Sequence, residues 1–384
     1  MKVLKICIGT WENASRDKRE LSVVRELGAS VEVVAKGEVS GQVDDISGFP
    51  VIRLSTRPVK WLPVSANRVL SVFMWAGFVR KMEIDVISGH DLTALFIGWL
   101  SNFGKRDKAK LIYDSHEFEL GLHPGCNKVF LWLICHMERF LMKRCVFSIM
   151  VNDTIADEVQ RIHHLDKRPI VVRNVPSYWE LDFQKIRTTR AELLKQLRLP
   201  KETFLVMYHG GIMNDRGIEN MLKAVAKLPK VAAIILGNGQ KKYVEALHNL
   251  CKQLGIEDKV LFHPAVPLEQ LRNYVGAVEA GIITVLPTLQ SYYYMLPNKL
   301  FENIQSLTPV IVSDFPTIGS LVDQYEIGLR VNPENVDEIA ATIERMQMEK
   351  KFYMDCKEHL KWAKEELCWE KEKAVLKEAY SRIL

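Results

Sequence analysis

Short runs of apolar, often β-branched residues alternate with longer segments of helical period, and the alternation occurs twice, with a break between the two series. The first series holds MKVLKICIG, VEVVA, DVISGH, KLIYDSH, CVFSIMV and PIVVRNV. Runs apolar at nearly every position, such as FSIMV and PIVV, suit strands covered on both faces, which requires a parallel sheet between layers of helix. After Pro176 a charged, helix-prone stretch, SYWELDFQKIRTTRAELLKQLRLPKE, carries no strand signal and reads as a linker region. The rhythm then restarts with TFLVMYHG, VAAIILGNG, KVLFHP, GIITVLP, TPVIVSD and GLRVN. A chain of 384 residues exceeds the roughly 250 at which a single core stops growing, so the fold class expected is α/β in two units. The tail from Lys350 onward, without glycine or proline, reads as one or two amphipathic helices.

With 48% apolar and 26% charged residues the chain has the balance of a folded protein, which excludes a mainly disordered one. Seven scattered cysteines form no Cys-x-x-Cys pair and read as reduced core residues. The opening MKVLKICIG enters a strand pattern directly, without the h-region of a secretion signal, so a cytoplasmic location is expected. A net charge of +5 is mild, but its distribution is not. From Ile46 to Met82 there is no acid, while Arg53, Arg57, Lys60, Arg68, Arg80 and Lys81 are interleaved with Trp61, Phe73, Trp75 and Phe78. Its longest uncharged apolar run, Val69 to Val79, is about half the roughly 20 residues of a membrane span. It reads either as a helix lying on an anionic membrane, together with Phe130, Trp132, Lys143 and Arg144, or as a core helix with a basic solvated end. No nucleic-acid-binding motif accompanies the patch, and no nucleic-acid partner is expected.

The second series opens with the richest chemistry. Strand TFLVMYHG runs into Gly210 and Gly211, then Arg216 and Gly217, then a helical pattern. Glycines at a strand-to-helix turn let backbone approach an anion, helix-start N–H groups face it, and Arg216 adds full positive charge, which suits a diphosphate. A turn needing glycine beside a solvated arginine would look the same. Gly237 and Gly239 follow the next strand, where ligands of open α/β sheets bind, although ordinary tight turns share that spacing. In LPNKLFE, Asn298 and Lys299 stand at a helix start and Glu302 one turn on, placed to accept from two ribose hydroxyls or simply to favour the helix dipole.

In the first series, KLIYDSHEF ends in Asp114, Ser115, His116 and Glu117, and DVISGHD ends in His90 and Asp91. Polar groups at the carboxyl ends of apolar strands line a crevice, although histidines there are often structural. Asp114, His116 and Glu117 do not make a recognisable metal site, and no metal is expected.

Taken in order, these segments resemble the GT-B glycosyltransferases, specifically the retaining family 4 enzymes with a glycosyltransferase group 1 catalytic domain. The resemblance covers nearly the whole chain and is carried by GGIMNDRGIENMLKAV, LPNKLFE with TPVIVSDFP, the DSHE strand end, VVRNVP and SRDKRELSVVRELGASVEVVA. It implies two Rossmann-like domains facing a central cleft: 1–178 on the acceptor side, joined by a C-terminal helix at about 367–384 that crosses back, and 179–366 on the nucleotide-sugar side. It implies that Arg216 and Lys299 meet the donor diphosphate with the backbone of Gly210 and Gly211, and that Glu302 binds the ribose. Pro264 and Val266 would border the base, His116 would face the transferred sugar, and Arg16, His90, Asp91 and Glu117 would lie on the acceptor side.

The resemblance further implies a retaining hexosyl-type transfer from a nucleotide-diphosphate sugar to a hydroxyl acceptor, in surface polysaccharide or glycolipid assembly, without metal or other cofactor; the basic, aromatic patch adds the expectation of a sugar or lipid-linked acceptor at the inner face of the cell membrane. Two positions depart from the family pattern. Tyr294 stands where many members carry a glutamate, and Gly211 where many carry an arginine whose charge Lys299 would replace. A sugar-nucleotide 2-epimerase on the same fold, or an inactive transferase-like partner subunit, would use the same residues. A dehydrogenase is disfavoured, because Ile8 to Asn13 lacks the Gly-x-Gly-x-x-Gly fingerprint.

Overall fold

The computed structural model describes residues 1–38, 40–122 and 125–384. It divides into two compact units, Met1–Asn174 with Glu372–Leu384, and Val175–Lys371. Residues 175–178 and 367–371, expected with the first unit, lie in the second. The reason is local packing: Val175 is buried in one cluster with Leu360 and Leu367, and the Trp369 amide donates to the Pro176 carbonyl at 2.9 Å.

In the second unit β9 (Phe204–His209), β10 (Val231–Leu236), β11 (Val260–His263), β12 (Ala280–Ile283), β13 (Val310–Ser313) and β14 (Gly328–Val331) make one parallel sheet in the order β11-β10-β9-β12-β13-β14. These are the six runs of the second sequence series. All residues of β9 and β10 are buried, as a sheet covered on both faces demands. The order reverses between β9 and β12, the switch point at which such sheets leave a crevice at their carboxyl ends. The stretch read as a linker contains a helix, Phe183–Leu197, whose Ile186, Leu193, Leu194 and Leu197 join the core beneath β9 and β10.

The first unit carries β1 (Lys2–Cys7), β2 (Ser30–Lys36), β3 (Val43–Ile46), β4 (Phe49–Leu54), β5 (Val86–His90), β6 (Lys110–Asp114), β7 (Cys145–Met150) and β8 (Ile170–Val171), ordered β3-β4-β2-β1-β5-β6-β7-β8. Among the described residues only β3 and β4 pair antiparallel. That hairpin was absent from the strand series because β3 carries Asp44 and Asp45 and β4 carries Pro50. Ser47 and Gly48 join the two strands with φ of 58° and 78°, the left-handed pair that matches strand twist in a two-residue hairpin.

Two helices of this unit turn apolar side chains outward. Val64–Arg80 buries Asn67, Ser71 and Trp75 and exposes Val69 (61%) and Phe73 (56%). Asn67 is satisfied by the backbone of Val59 and Leu62, so its burial is matched. Lys128–Met142 buries Glu138 against Tyr113 and His163 while exposing Phe130, Trp132 (57%) and Leu133. No helix of the described residues is long and apolar enough to cross a membrane.

At the centre of this sheet stands a fully buried lysine. Lys5 Nζ lies 2.9 Å from both Asp17 and Asp114, also contacts Glu20, and reaches Ser88 Oγ at 3.2 Å. Burial opposes its charge, but the carboxylates of Asp114, Asp17 and Glu20 outweigh it and raise its pKa well above the ordinary value. The second tail helix, Trp369–Ser381, reaches this cluster, where the buried Tyr380 hydroxyl donates to Glu20. Lys373 with Glu26 (2.7 Å) and Glu372 with Arg173 (3.0 Å) hold the same segment in the first unit. Removing one member of a buried ionic cluster leaves the others uncompensated, at a cost of about 3–5 kcal/mol. Lys5→Met is therefore expected to lower the unfolding free energy of this unit by about that amount in urea titrations, and a loss below about 1 kcal/mol would show the cluster to be dispensable.

Candidate active site

The crevice of the second unit is built on the switch point. β9 delivers the loop 210–217, and helix Asn298–Gln305 starts beside it. Gly210 has a φ of 112°, and a Cβ built there would stand 3.8 Å from Lys299 Nζ, so the lysine lies directly against this turn. Lys299 Nζ sits 3.9 Å above the Tyr208 ring, and the Arg216 guanidinium lies 5.3 Å from the Tyr292 ring. Neither cation has a carboxylate within ion-pair distance among the described residues. Burial, then repulsion from Arg216, lower the Lys299 pKa to about 7 despite the attraction of Glu302. Arg216, Lys299 and Glu302 therefore share one electrostatic environment. Glu302 is partly buried, and its Oε2 is 2.9 Å from His209 Nε2, which fixes the carboxylate at the end of β9. Its Oε1 has no partner among the described residues.

The two glycine-rich loops are packed backbone to backbone. A Cβ on Gly237 would meet the Gly210 carbonyl at 1.9 Å, so this position is closed to any side chain. Gly239 forms a bridge with Ile212, and the amides of Gly210 and Ile212 donate to Leu236 and Asn238 at 2.9 Å. Gly237 and Gly239 thus shape the floor beneath the first loop. Asn238 Oδ1 accepts from the Ala265 amide at 3.2 Å, which brings the segment containing Pro264 and Val266 to the same edge. Gly217 starts helix Ile218–Ala226 at a φ of 72°, where a Cβ would strike the Thr284 carbonyl at 1.8 Å. At Gly211 the backbone imposes nothing: a Cβ there would meet only Met213, at 3.5 Å. Asn298 and Tyr294 lie at and just before the start of helix Asn298–Gln305.

In the first unit the ends of β5 and β6 bring His90 and His116 together, ring centroids 3.8 Å apart. His90 faces a carboxylate at each nitrogen, Asp17 at 2.9 Å from Nδ1 and Asp91 at 3.1 Å from Nε2, so both nitrogens donate. Burial opposes that charge, but the bonds to Asp17 and Asp91 prevail and push its pKa up to about 11. Asp91 begins helix Asp91–Ser101 at a φ of 65° and also accepts from the His116 amide at 3.3 Å. His116 Nε2 is 3.3 Å from Asp114. Arg16 is buried, with its guanidinium donating to the Val172 carbonyl at 2.7 Å and to Asp114 at 2.9 Å, so it organises the strand ends from beneath. Glu117 is exposed, and its carbonyl accepts from Ser115 at 2.8 Å.

Asp17, Lys5, Glu20 and Tyr380 were not among the expected site residues. The available signal was Lys5 itself, a lysine between the apolar residues of β1. Asp17 also completes two groups with metal-ligand spacing that sequence neighbours did not reveal, Asp17, Asp114 and His116, and Cys7, Asp17 and His90, each with ligand atoms within 4.8 Å of one another. The Lys5 ammonium already bridges Asp17 and Asp114, and burial raises the Cys7 thiol, so both groups read as parts of the internal ion cluster.

The model of the family described as glycosyl transferases group 1 matches residues 189–361, the span that carries Arg216, Lys299 and Glu302. The chain is 30% identical over 295 residues to a D-inositol 3-phosphate glycosyltransferase of Xylanimonas cellulosilytica, covering 71% of this chain and 70% of that one. A sucrose-phosphate synthase from Thermosynechococcus elongatus superposes with a TM-score of 0.78 at 16% identity, over 100% of this chain and 99% of the other. The Anabaena protein HepE in complex with UDP gives 0.74 at 16%, again over 100% and 99%. At such identity the structures speak for the fold, which is GT-B, with its two Rossmann-like domains. The sequence relative covers most of both chains, and with it the family model enclosing the cationic strand end establishes that this chain belongs to the group 1 glycosyl transferases.

Proposed function

We propose that this enzyme transfers a hexosyl or related sugar from a nucleotide-diphosphate sugar to a hydroxyl acceptor with retention of configuration, in surface polysaccharide or glycolipid assembly. The observation that carries the reading is the pair of cations, Arg216 and Lys299, held without ion-paired carboxylates at the switch point of the second unit. Breaking a sugar–phosphate bond gathers negative charge on the leaving diphosphate, and fixed cations and helix starts stabilise that charge more in the transition state than before it. Glu302, oriented by His209, has an oxygen free to accept from a ribose hydroxyl. Pro264 and Val266 border the base, and HepE, of the same fold, is a UDP complex. In this scheme protein cations do the work of a divalent ion, so no metal or other cofactor is required. Retention follows if the acceptor hydroxyl attacks from the leaving-group side and a phosphate oxygen takes its proton, with His116 beside the sugar.

The acceptor is proposed to be lipid-linked and reached from the inner face of the cell membrane. The support is the pair of helices with apolar faces turned outward, each touching the intervening helix Asp91–Ser101 or the turn just after it, one through Arg80 to the Phe103 carbonyl (2.6 Å) and the other through Phe140 against Trp99 (5.4 Å). Trp61, 83% exposed in the acid-free segment, adds an interfacial side chain.

Arg216→Ala should cost about a hundredfold in transfer rate with an unchanged circular dichroism spectrum, while the wild type keeps its rate in chelator. Full turnover by that variant would remove Arg216 from the mechanism. Lys299 sets the pH dependence. With a free-state pKa near 7 it is largely neutral at pH 8, and a bound diphosphate draws a proton onto it. Affinity for a UDP-sugar, whose diphosphate does not itself titrate there, should fall by up to about tenfold per pH unit above 7. Calorimetry in buffers of different ionisation enthalpy should record proton uptake that Lys299→Met abolishes, and buffer-independent heats would refute the assignment. Flotation with anionic liposomes at low salt should carry the protein upward, and neutral liposomes should not; no flotation on anionic vesicles ends the membrane reading.

A further inference from the structure

At the carboxyl ends of β1, β2 and β4 the first unit holds a cavity of about 590 Å³. Its lining combines apolar Trp75, Val69 and Ile97 with Lys36, Arg57 and Arg68. Among the described residues no aspartate or glutamate lines it. The three cations are exposed and have no carboxylate or hydrogen-bond partner for their side chains among the described residues. Acids are not scarce in this neighbourhood, since Arg53 on β4 is matched by Glu12 and by Asp44 at 3.0 Å. Three unmatched cations thus meet in one cavity, whose apolar lining distinguishes it from a merely solvated basic face. Val69 belongs both to the cavity wall and to the outward apolar face of helix Val64–Arg80, which continues through Phe73 and Met74. A hydrocarbon chain entering past Val69 stays in apolar contact on both sides of the entrance.

We propose that this cavity binds a phosphate ester carried on a hydrocarbon chain, with the phosphate held by Lys36, Arg57 and Arg68 and the first part of the chain laid against Trp75 and Val69. Arginine suits this task because its planar fork meets phosphate oxygens two at a time. The proposal rests on the lipid-linked acceptor reading and names the chemistry that would present such an acceptor. The lining residue Thr93 belongs to the helix that follows β5, the strand that ends in His90, so a phosphate seated here lies at the same edge of the sheet as the histidine pair.

The test uses the full-length protein and dodecyl phosphate below its micelle concentration, with binding read by calorimetry and tryptophan fluorescence. Dodecyl maltoside supplies a chain without the charge, and inorganic phosphate supplies the charge without a chain. Dodecyl phosphate is expected to bind at least about tenfold more tightly than either, and Arg57→Ala with Arg68→Ala to weaken it by about tenfold or more. Both arginines are exposed, so the double variant should melt like the wild type, and UDP-sugar binding by the same samples should be unchanged. Equal binding of dodecyl phosphate and dodecyl maltoside, equal binding of inorganic phosphate, or unaltered affinity in the double variant would each overturn the proposal. Binding of the alkyl phosphate by a protein that takes no nucleotide sugar would instead count against the transferase reading while upholding the cavity's ligand class.

Discussion

Two cations that repel one another have been placed at the turn after β9, and the fold accepts the cost. Lys299 is pressed against the Gly210 turn and the face of Tyr208, and its pKa falls to about 7 because burial and Arg216 both act against its charge. An ammonium under that strain is relieved by an arriving anion, whose negative charge restores what desolvation removed. The surrounding backbone is packed to match. Gly237 yields its side chain so that the two loops can stack, Gly217 does the same so that the helix start can approach Thr284, and His209 fixes Glu302 one helical turn away.

The first unit solves its charges in the opposite way. Lys5, Arg16 and His90 are each matched to carboxylates of Asp17, Glu20, Asp91 or Asp114, and the result is a closed lattice rather than a waiting site. Its product is orientation. With both nitrogens of His90 donating, the ring is a fixed cation whose face lies against His116. Tyr380 makes the last helix a structural member of the same lattice.

Much of this was legible from residue order. The six strands of the second unit appear as six apolar runs, and Arg216, Lys299 and Glu302 fall at strand and helix ends where an open α/β sheet must present them. What stayed hidden was hidden for physical reasons. The β3–β4 hairpin lacks apolar continuity because it is an edge carrying Asp44, Asp45 and Pro50. Asp17 is separated from Asp114 by most of the unit, and only the parallel crossover brings a helix start under the end of β6. The outward apolar faces could not be foreseen from composition, because Val69 and Trp75 lie in one helix and only packing decides which is buried.

The glycine at position 211 shows how such a site tolerates change. A side chain there would meet only Met213 at 3.5 Å, and the backbone is not left-handed, so the absence of a cation at that position is a choice of charge and not a demand of geometry. A third cation beside Arg216 and Lys299 would depress the lysine further. With glycine instead, Lys299 keeps a pKa of about 7, and in the proposed function a diphosphate bound there would hold its proton, so that the positive charge would rise and fall with occupancy of the site. On that proposal, release of the diphosphate would cost less than it would from two permanently charged arginines, as suits an enzyme that must let its leaving group go after every transfer.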